Sequence, residues 1–516
     1  MSSDDTQTTT QNAQRLLWAG FMAILAAGVG FSIRAGILGQ WAEQYGFTMT
    51  ELGQITGGGL TGFGFIILMG SLIADTVGYG KLMTLAFLTH VVSAVLTLAA
   101  GAAFVSGGKD AAFQCLFWGM FLFAIGNGIC EAVVNPLVAS LFPKQKTHYL
   151  NILHAGWPGG LIVGGLASYF MNPDGAKAVG WQIQISLFMV PVVLYGLMVL
   201  GQKFPKSEAS AAGVSYGSMF AQLFAPLMIV LLFVHALVGY VELGTDSWIG
   251  EITGAIMASK QKGLLLFVYT SGLMFALRFF AGPIVHRISP LGLLFLSGIL
   301  GCLGLQLLGS ATSVLLCVIA ATVYACGKTF LWPTMLAVVS EQFPKGGAIT
   351  IGALGGIGMI SAGLLGTPGI GFKQDFNASA NLKENAPEVY ERYKAGSENS
   401  FLGFSVVGLD GSKTAVLKDD GKELARAVEI MKADGKPVKS TEDLSAWWDE
   451  AQKTATTDKA PVEAAGLYGG RRALKLTSFV PATMAVIYLL LILYFKARGG
   501  YKPVHVSEPE PETTAF

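Results

Sequence analysis

Four charged side chains stand well inside long apolar stretches of this sequence: Arg34, Glu131, Glu242 and Lys328. At the centre of a hydrocarbon layer each would cost ~2.5–3.5 kcal/mol even on a lenient insertion scale, so each needs a partner or a task. Their placement is ordered. Glu131 lies in GNGICEAVVNPLVASLFP and Lys328 in ACGKTFLWPTMLAVVSEQFP; aligned on Pro136 and Pro333, both fall five residues before the proline, with opposite sign. Arg34 and Glu242 occupy corresponding depths of two other apolar stretches and are opposite too. The set sums to zero charge, so its members can pair across a cavity in one conformation and exchange partners in another. That is chemistry suited to coupling a solute to an ion, with Glu131 and Glu242 as the ion-coupling carboxylates and Arg34 and Lys328 as counter-charges. The alternative is permanent ion pairs that only hold two halves in register.

The neighbouring residues are of the kind that hold a small polyhydroxylated solute. Asn127, Asn135, Asn151 and His154 offer hydrogen bonds to hydroxyls, and Trp157, Trp248, Phe330 and Trp332 offer flat apolar faces. Interhelical hydrogen bonding is the competing role for Asn127 and Asn135, and an interfacial aromatic belt for Trp248. Arg278 either faces the same cavity or snorkels to the interface. Asp246, nearer the outer end of its stretch, reads as solvated; His235 reads as a satisfied buried histidine, with a proton carrier as the alternative, and His90 as packing. No Ser/His/Asp set or metal constellation emerges, and Cys115, Cys130, Cys302, Cys317 and Cys326 lack the CxxC or CxxH spacing of a zinc site. Neither a catalytic site, a cofactor nor a bound metal is expected.

Positioning these groups requires membrane helices. Apolar residues make up 52% of the chain and charged ones 13%, a composition unsuited to a soluble surface. A formal charge of +1 gives no field for nucleic acid. Runs of ~20 apolar residues, enough to cross the hydrocarbon, fall at roughly 17–38, 49–74, 82–105, 112–141, 151–171 and 181–201, then 223–247, 262–284, 290–309, 313–340, 348–371 and 475–496. The fold expected is an all-α membrane protein of twelve helices in two six-helix bundles, 17–201 and 223–371 plus 475–496. A tail (1–16), a linker (202–222) and a second tail (497–516) complete the plan. Lys81, Lys144, Lys146, Lys203, Lys206, Arg287, Lys345, Lys496, Arg498 and Lys502 fall on one side of alternating helices, which would be cytoplasmic with both termini. The Gly-rich stretches TGGGLTGFG, PGGLIVGG and GALGGIGMISAGLLG lack the Lys-Ser/Thr of a phosphate loop and instead suit close helix packing.

The polar segment 372–474 would then be an external α+β insert. FSVVGLDGSKTAVLKDD suggests a hairpin turning at Asp410-Gly411, KELARAVEIMKADG a helix ending at Gly435, and STEDLSAWWDEAQ a capped helix. It reads as a cap over the outer mouth, or as a capture surface with Trp447 and Trp448 as exposed anchors.

Two parallel six-helix repeats resemble the plan of the major facilitator superfamily. SLIADTVGYGK resembles that family's signature loop through Asp75, Gly78 and Lys81, with Ser71 where a Gly is usual; the equivalent GPIVHRISP keeps Gly282 and Arg287. These loops, by that resemblance, gate conformational change. EAVVNPLVASLF with HYLNILHAGWPGG, VGYVELGTDSW and WPTMLAV are similar to the fucose/glucose/galactose:proton symporter branch, although Arg34 and Ala35 stand near where that branch carries an acidic residue. The resemblance implies a monomeric secondary transporter in a cytoplasmic or plasma membrane, moving a monosaccharide with a proton or sodium ion. A sugar-acid carrier using Arg34 and Lys328, and a non-transporting sensor, are the rival readings.

Overall fold

The computed structural model describes residues 3–45, 47, 52, 54–56, 59–172, 178–434 and 439–504. The start of the second predicted helix, Gly435 and the last residues of the chain lie outside them. Among the described residues, twelve helical spans fall in two sets of six. The first set is Ser3–Tyr45, Gly59–Val77, Tyr79–Leu98, Ala100–Leu141, Lys146–His154 with Gly156–Met171, and Trp181–Ser186 with Met189–Val199. The second is Pro226–Gly239 through Thr245–Ile256, Lys260–Arg278, Ala281–Leu308, Val314–Lys328 with Leu331–Gln342, Gly347–Ser361 through Thr367–Asn385, and Ala455–Thr477 with Phe479–Ala497. Ten helical stretches among the described residues are long and apolar enough to cross a membrane unaided. Spans five and eight complete the twelve: the first is broken at Ala155, and the second starts and ends on charged residues.

Span two runs along span eleven and span five along span eight, and these two seams join the halves. The seams need residues without side chains. A Cβ on Gly64 would sit 2.8 Å from the Gly356 carbonyl and 2.7 Å from Ile360. The glycine-rich stretches therefore serve close approach between the bundles, as the sequence suggested. The five cysteines are all free.

Spans five, seven, ten and eleven are irregular, and each irregularity releases backbone groups. Span seven contains one π turn, Tyr240–Gly244, and span eleven another, Ala362–Gly366. Span five breaks three residues before Pro158, and span ten breaks at Thr329 and Phe330, just before Pro333.

The polar segment departs from expectation in three ways. Its boundaries at 372 and 474 fall inside helices Thr367–Asn385 and Ala455–Thr477, which rise out of spans eleven and twelve. The hairpin is earlier: β1 (Asn399–Phe401) pairs antiparallel with β2 (Phe404–Val406). Its turn residues Leu402 and Gly403 have φ of 49° and 85°, the left-handed pair a tight hairpin turn requires. Asp410 instead caps helix Gly411–Lys418, accepting hydrogen bonds from the Ser412 and Lys413 amides, so no turn forms there. Finally, Trp447 and Trp448 are not exposed anchors; they pack on a small core of Leu382, Tyr390, Tyr393 and Leu417. That core is pinned by Arg392, which forks onto buried Asp458 at 2.9 and 2.6 Å.

Candidate functional site

The polar groups at mid-span form one connected chain that crosses between the halves. In span four the Asn135 amide donates to Glu131 Oε2 at 2.6 Å. Its Oδ1 lies 2.8 Å from His154 Nε2 in span five, so His154 carries its hydrogen on that nitrogen. Pro158 stands where a helical residue would donate its N–H to the His154 carbonyl, and proline has none. Arg278 of the second half takes that carbonyl, Nη1 donating at 2.5 Å. Pro333 does the same for the Thr329 carbonyl in span ten, and Arg278 Nε fills it at 2.9 Å. The remaining arm, Nη2, donates to Glu242 Oε1 at 2.9 Å. One guanidinium thus satisfies two proline-orphaned carbonyls and a carboxylate, which its five-donor fork allows and a lysine would not. The second ion pair is Lys328 with Asp246, both side chains nearly fully buried.

This geometry revises several expectations. Arg278 is buried and central, with no route to snorkel. Asp246 is not solvated; it neutralises Lys328. Glu242 is paired with Arg278 and not with Arg34. Arg34 stacks over Phe123, 5.3 Å from the ring centroid, and has no carboxylate partner among the described residues. Asn127 Oδ1 lies 3.0 Å from His90 Nε2, and His90 Nδ1 lies 2.9 Å from the Tyr195 hydroxyl; the group ties spans four, three and six together. Phe330 packs with Ala281 and Leu293 behind span ten. Trp248 is committed to span eleven, its indole donating to the Thr367 carbonyl at 2.8 Å. His235 is buried against Trp332, ring centroids 4.6 Å apart, yet neither ring nitrogen has a partner among the described residues.

Asn151 donates to Thr334 at 3.3 Å, linking spans five and ten. Buried Asn151 Oδ1, Trp157 Nε1, Glu242 Oε2 and Asp246 Oδ2 also lack partners among the described residues. Such atoms cost ~1–3 kcal/mol each unless something meets them, which makes them candidates for solute contact. Trp157 itself packs against Phe31 of span one.

Below this level the halves are tied at the end carrying Lys144 and Lys345, here called the basic end. Lys146 donates to the Ser340 carbonyl at 3.1 Å and pairs with Glu208 at 2.9 Å; Thr147 donates to Glu341 at 3.2 Å. Asp75 accepts from the Ala348 amide at 3.4 Å, at the N-terminal end of helix Gly347–Ser361, where a carboxylate is favoured. Gly78 turns the same loop with φ of 94°, while Lys81 and Arg287 are exposed. Sequence reasoning missed Thr147 and Thr334, which carry no mark in an apolar pattern, and Glu341, which falls just past the apolar stretch 313–340.

The sequence model of the Major Facilitator Superfamily matches residues 20–367. The chain belongs to the Major Facilitator Superfamily. Among solved members of this fold, the transporter FucP of E. coli, in its outward conformation, aligns with a TM-score of 0.56 and 17% identity over 70% of this chain and 92% of that one. The E. coli proton:xylose symporter XylE aligns at 0.58 and 12% identity, over 73% and 91%. At these identities the likeness is one of fold. A cis,cis-muconate transport protein of Acinetobacter baylyi (strain ATCC 33305 / BD413 / ADP1) is 25% identical over 181 residues, covering 34% of this chain and only 40% of that protein. As a superfamily member the chain is an integral, multi-pass membrane protein, and the superfamily's members are transporters of small solutes.

Proposed function

We propose that the protein is an ion-coupled secondary transporter of a small hydroxyl-rich solute, foremost a monosaccharide, working by alternating access of its two bundles. The observation that carries this reading is the polar chain from Glu131 through Asn135 and His154 to Arg278 and Glu242. It links a carboxylate without a cationic partner among the described residues of one half to an ion-paired carboxylate in the other. Loading Glu131 with a proton would weaken its hold on Asn135, and the change would pass through the Asn135–imidazole bond and the body of His154 to its carbonyl, where Arg278 joins the halves. Arg278, Lys328, Glu242 and Asp246 cancel in charge, which suits a neutral solute. The unpartnered atoms of Asn151, Trp157 and His235 suit its hydroxyls. Ties at the basic end support a state closed on that side, which the lysine distribution makes cytoplasmic. The bearer membrane would be a cytoplasmic or plasma membrane, with the protein acting as a monomer.

A second reading has its own support. Arg34 lacks a carboxylate partner among the described residues, and the muconate transport protein is named for a dicarboxylate. An organic anion held by Arg34 and, after pair exchange, Lys328 would fit both. Proteoliposomes given labelled monosaccharides and sugar acids under imposed proton or sodium gradients decide. Gradient-driven sugar uptake, not competed by sugar acids, is expected; the reverse ranking replaces the first reading with the second, and no gradient-driven uptake of either refutes both.

A further inference from the structure

Past the end of span twelve the chain turns back on the molecule. Gly499 and Gly500 take φ of 91° and 99°, conformations that glycine adopts at little cost, and the Gly500 amide donates to the Phe495 carbonyl at 2.9 Å. The reversal lays Tyr501 against Phe495, ring centroids 5.2 Å apart, and carries residues 501–504 along the basic end of span ten. Hydrogen bonds fasten this strap to two consecutive residues. The Tyr501 hydroxyl donates to Glu341 Oε2 at 2.6 Å, the Val504 amide donates to the Glu341 carbonyl at 2.8 Å, and the Gln342 side-chain amide donates to the Lys502 carbonyl at 2.9 Å.

The same stretch of span ten carries the contact between the halves on its other side. Thr147 of the first half donates to Glu341 Oε1 at 3.2 Å, and Lys146 donates to the Ser340 carbonyl at 3.1 Å. The Glu341 carboxylate therefore has one oxygen on the strap and one on the first half. Ordering a flexible glutamate side chain costs free energy, and a single hydroxyl bond at 3.2 Å offsets it only in part. The Tyr501 bond, at 2.6 Å, falls in the short range of hydroxyl donors to carboxylates, which is the stronger class. It fixes where the second oxygen points.

We propose that Tyr501 is a positioning residue for closure of the basic end: holding one Glu341 oxygen, it aims the other at Thr147, so the strap 499–504 sets how firmly the two halves stay together there. Tyr501 acts through Glu341 and not by bridging the halves itself. Under the alternating-access reading above, on which the consequence for transport rests, a loosened strap raises the share of molecules open at the basic end.

The test is amide hydrogen exchange in the purified full chain, with neither solute nor gradient present. Tyr501→Phe keeps the ring against Phe495 and removes only the hydroxyl. Gly500→Ala reaches the same contact by another route: an added Cβ would meet nothing within 4 Å, so its effect is to strain the reversal and shift the strap. In both variants the amides of residues 142–151, which belong to the first half, should exchange roughly tenfold faster, with those of span six unchanged. Thr147→Val should accelerate the same amides to a similar extent, and adding Tyr501→Phe to it should do nothing further. Acceleration confined to the strap and span ten would mean that the strap only covers the end of that helix, and overturns the proposal. Native exchange in residues 142–151, acceleration spread evenly over the chain, or additive effects of Tyr501→Phe and Thr147→Val would each overturn it as well. Exchange is read without transport, so a negative result leaves the transport reading standing, and a failure of uptake leaves the strap result standing.

Discussion

Replacing Arg278 by Met removes the one group that joins spans five, seven, eight and ten. The substitution keeps the volume approximately but abandons three acceptors: the His154 carbonyl, the Thr329 carbonyl and Glu242 Oε1. Breaking a buried ion pair on one side costs ~3–5 kcal/mol, because a charge is left without its partner. Each orphaned carbonyl adds ~1–3 kcal/mol, although such terms are not additive in one network. The prolines give a sharper test than the total. In a Pro158→Ala, Pro333→Ala background the helices regain the amides that would serve those carbonyls, so Arg278→Met should cost ~2–4 kcal/mol less there than in the native chain. Adding Glu242→Gln should recover most of the remainder, since a neutral amide needs no counter-charge. The measurement is unfolding of the purified protein across the single, double and combined variants. If Arg278→Met costs the same with and without the prolines, the guanidinium is not acting as their substitute donor and the argument fails.

Glu131→Gln should abolish gradient-driven uptake while leaving solute exchange across equilibrated membranes within a few-fold of native; gradient-driven uptake at the native rate would remove Glu131 from the coupling scheme. Arg34→Gln separates the two solute classes: sugar uptake should survive with less than a tenfold loss, whereas an organic-anion carrier would lose binding, by competition assay, by ~100-fold or more. Arg392→Ala leaves Asp458 buried without its fork, so the segment 387–458 should become cleavable in limited proteolysis with the spans intact, and the local loss should be ~1–3 kcal/mol, reduced by the partial exposure of Arg392. Unchanged cleavage kinetics would mean that the pair does not hold the insert.

Spans and repeats were legible because hydrocarbon thickness imposes its length on apolar runs, and Pro136 and Pro333 mark equivalent positions in the two halves. Intramembrane charges were legible as a set, since each stands out against an apolar background. Their partners were not. Arg34 and Glu242 lie at matching depths of symmetry-related helices, yet depth says nothing about which face a side chain takes, and the π turn at Tyr240–Gly244 alters the phase of span seven. The hairpin was misplaced because Asp-Gly is both a turn and a helix-start signal, and the Asp410 cap decided between them. The partner of Asn127 was illegible for a similar reason: its neighbour His90 belongs to another helix, and such pairings have no sequence spacing.

Pro158 and Pro333 were visible from the start, and their meaning follows only once Arg278 is placed between them. A proline in a membrane helix leaves a carbonyl that water cannot reach, so another part of the fold must supply a donor. Here the donor for the span-five carbonyl comes from the opposite half, so under the proposed alternating access the bond belongs to the contact that breaks when the bundles separate. Separation strips Arg278 of one acceptor and strips His154 of its donor, at a cost that Glu242, Glu131 or the solute must offset. An intramolecular donor, a serine hydroxyl within span five for example, would satisfy the carbonyl at no cost to motion. Under the proposed transport cycle, an arginine from the other half placed there would tie the energetics of the halves' separation to the protonation and occupancy of the same site, which is the requirement for coupling.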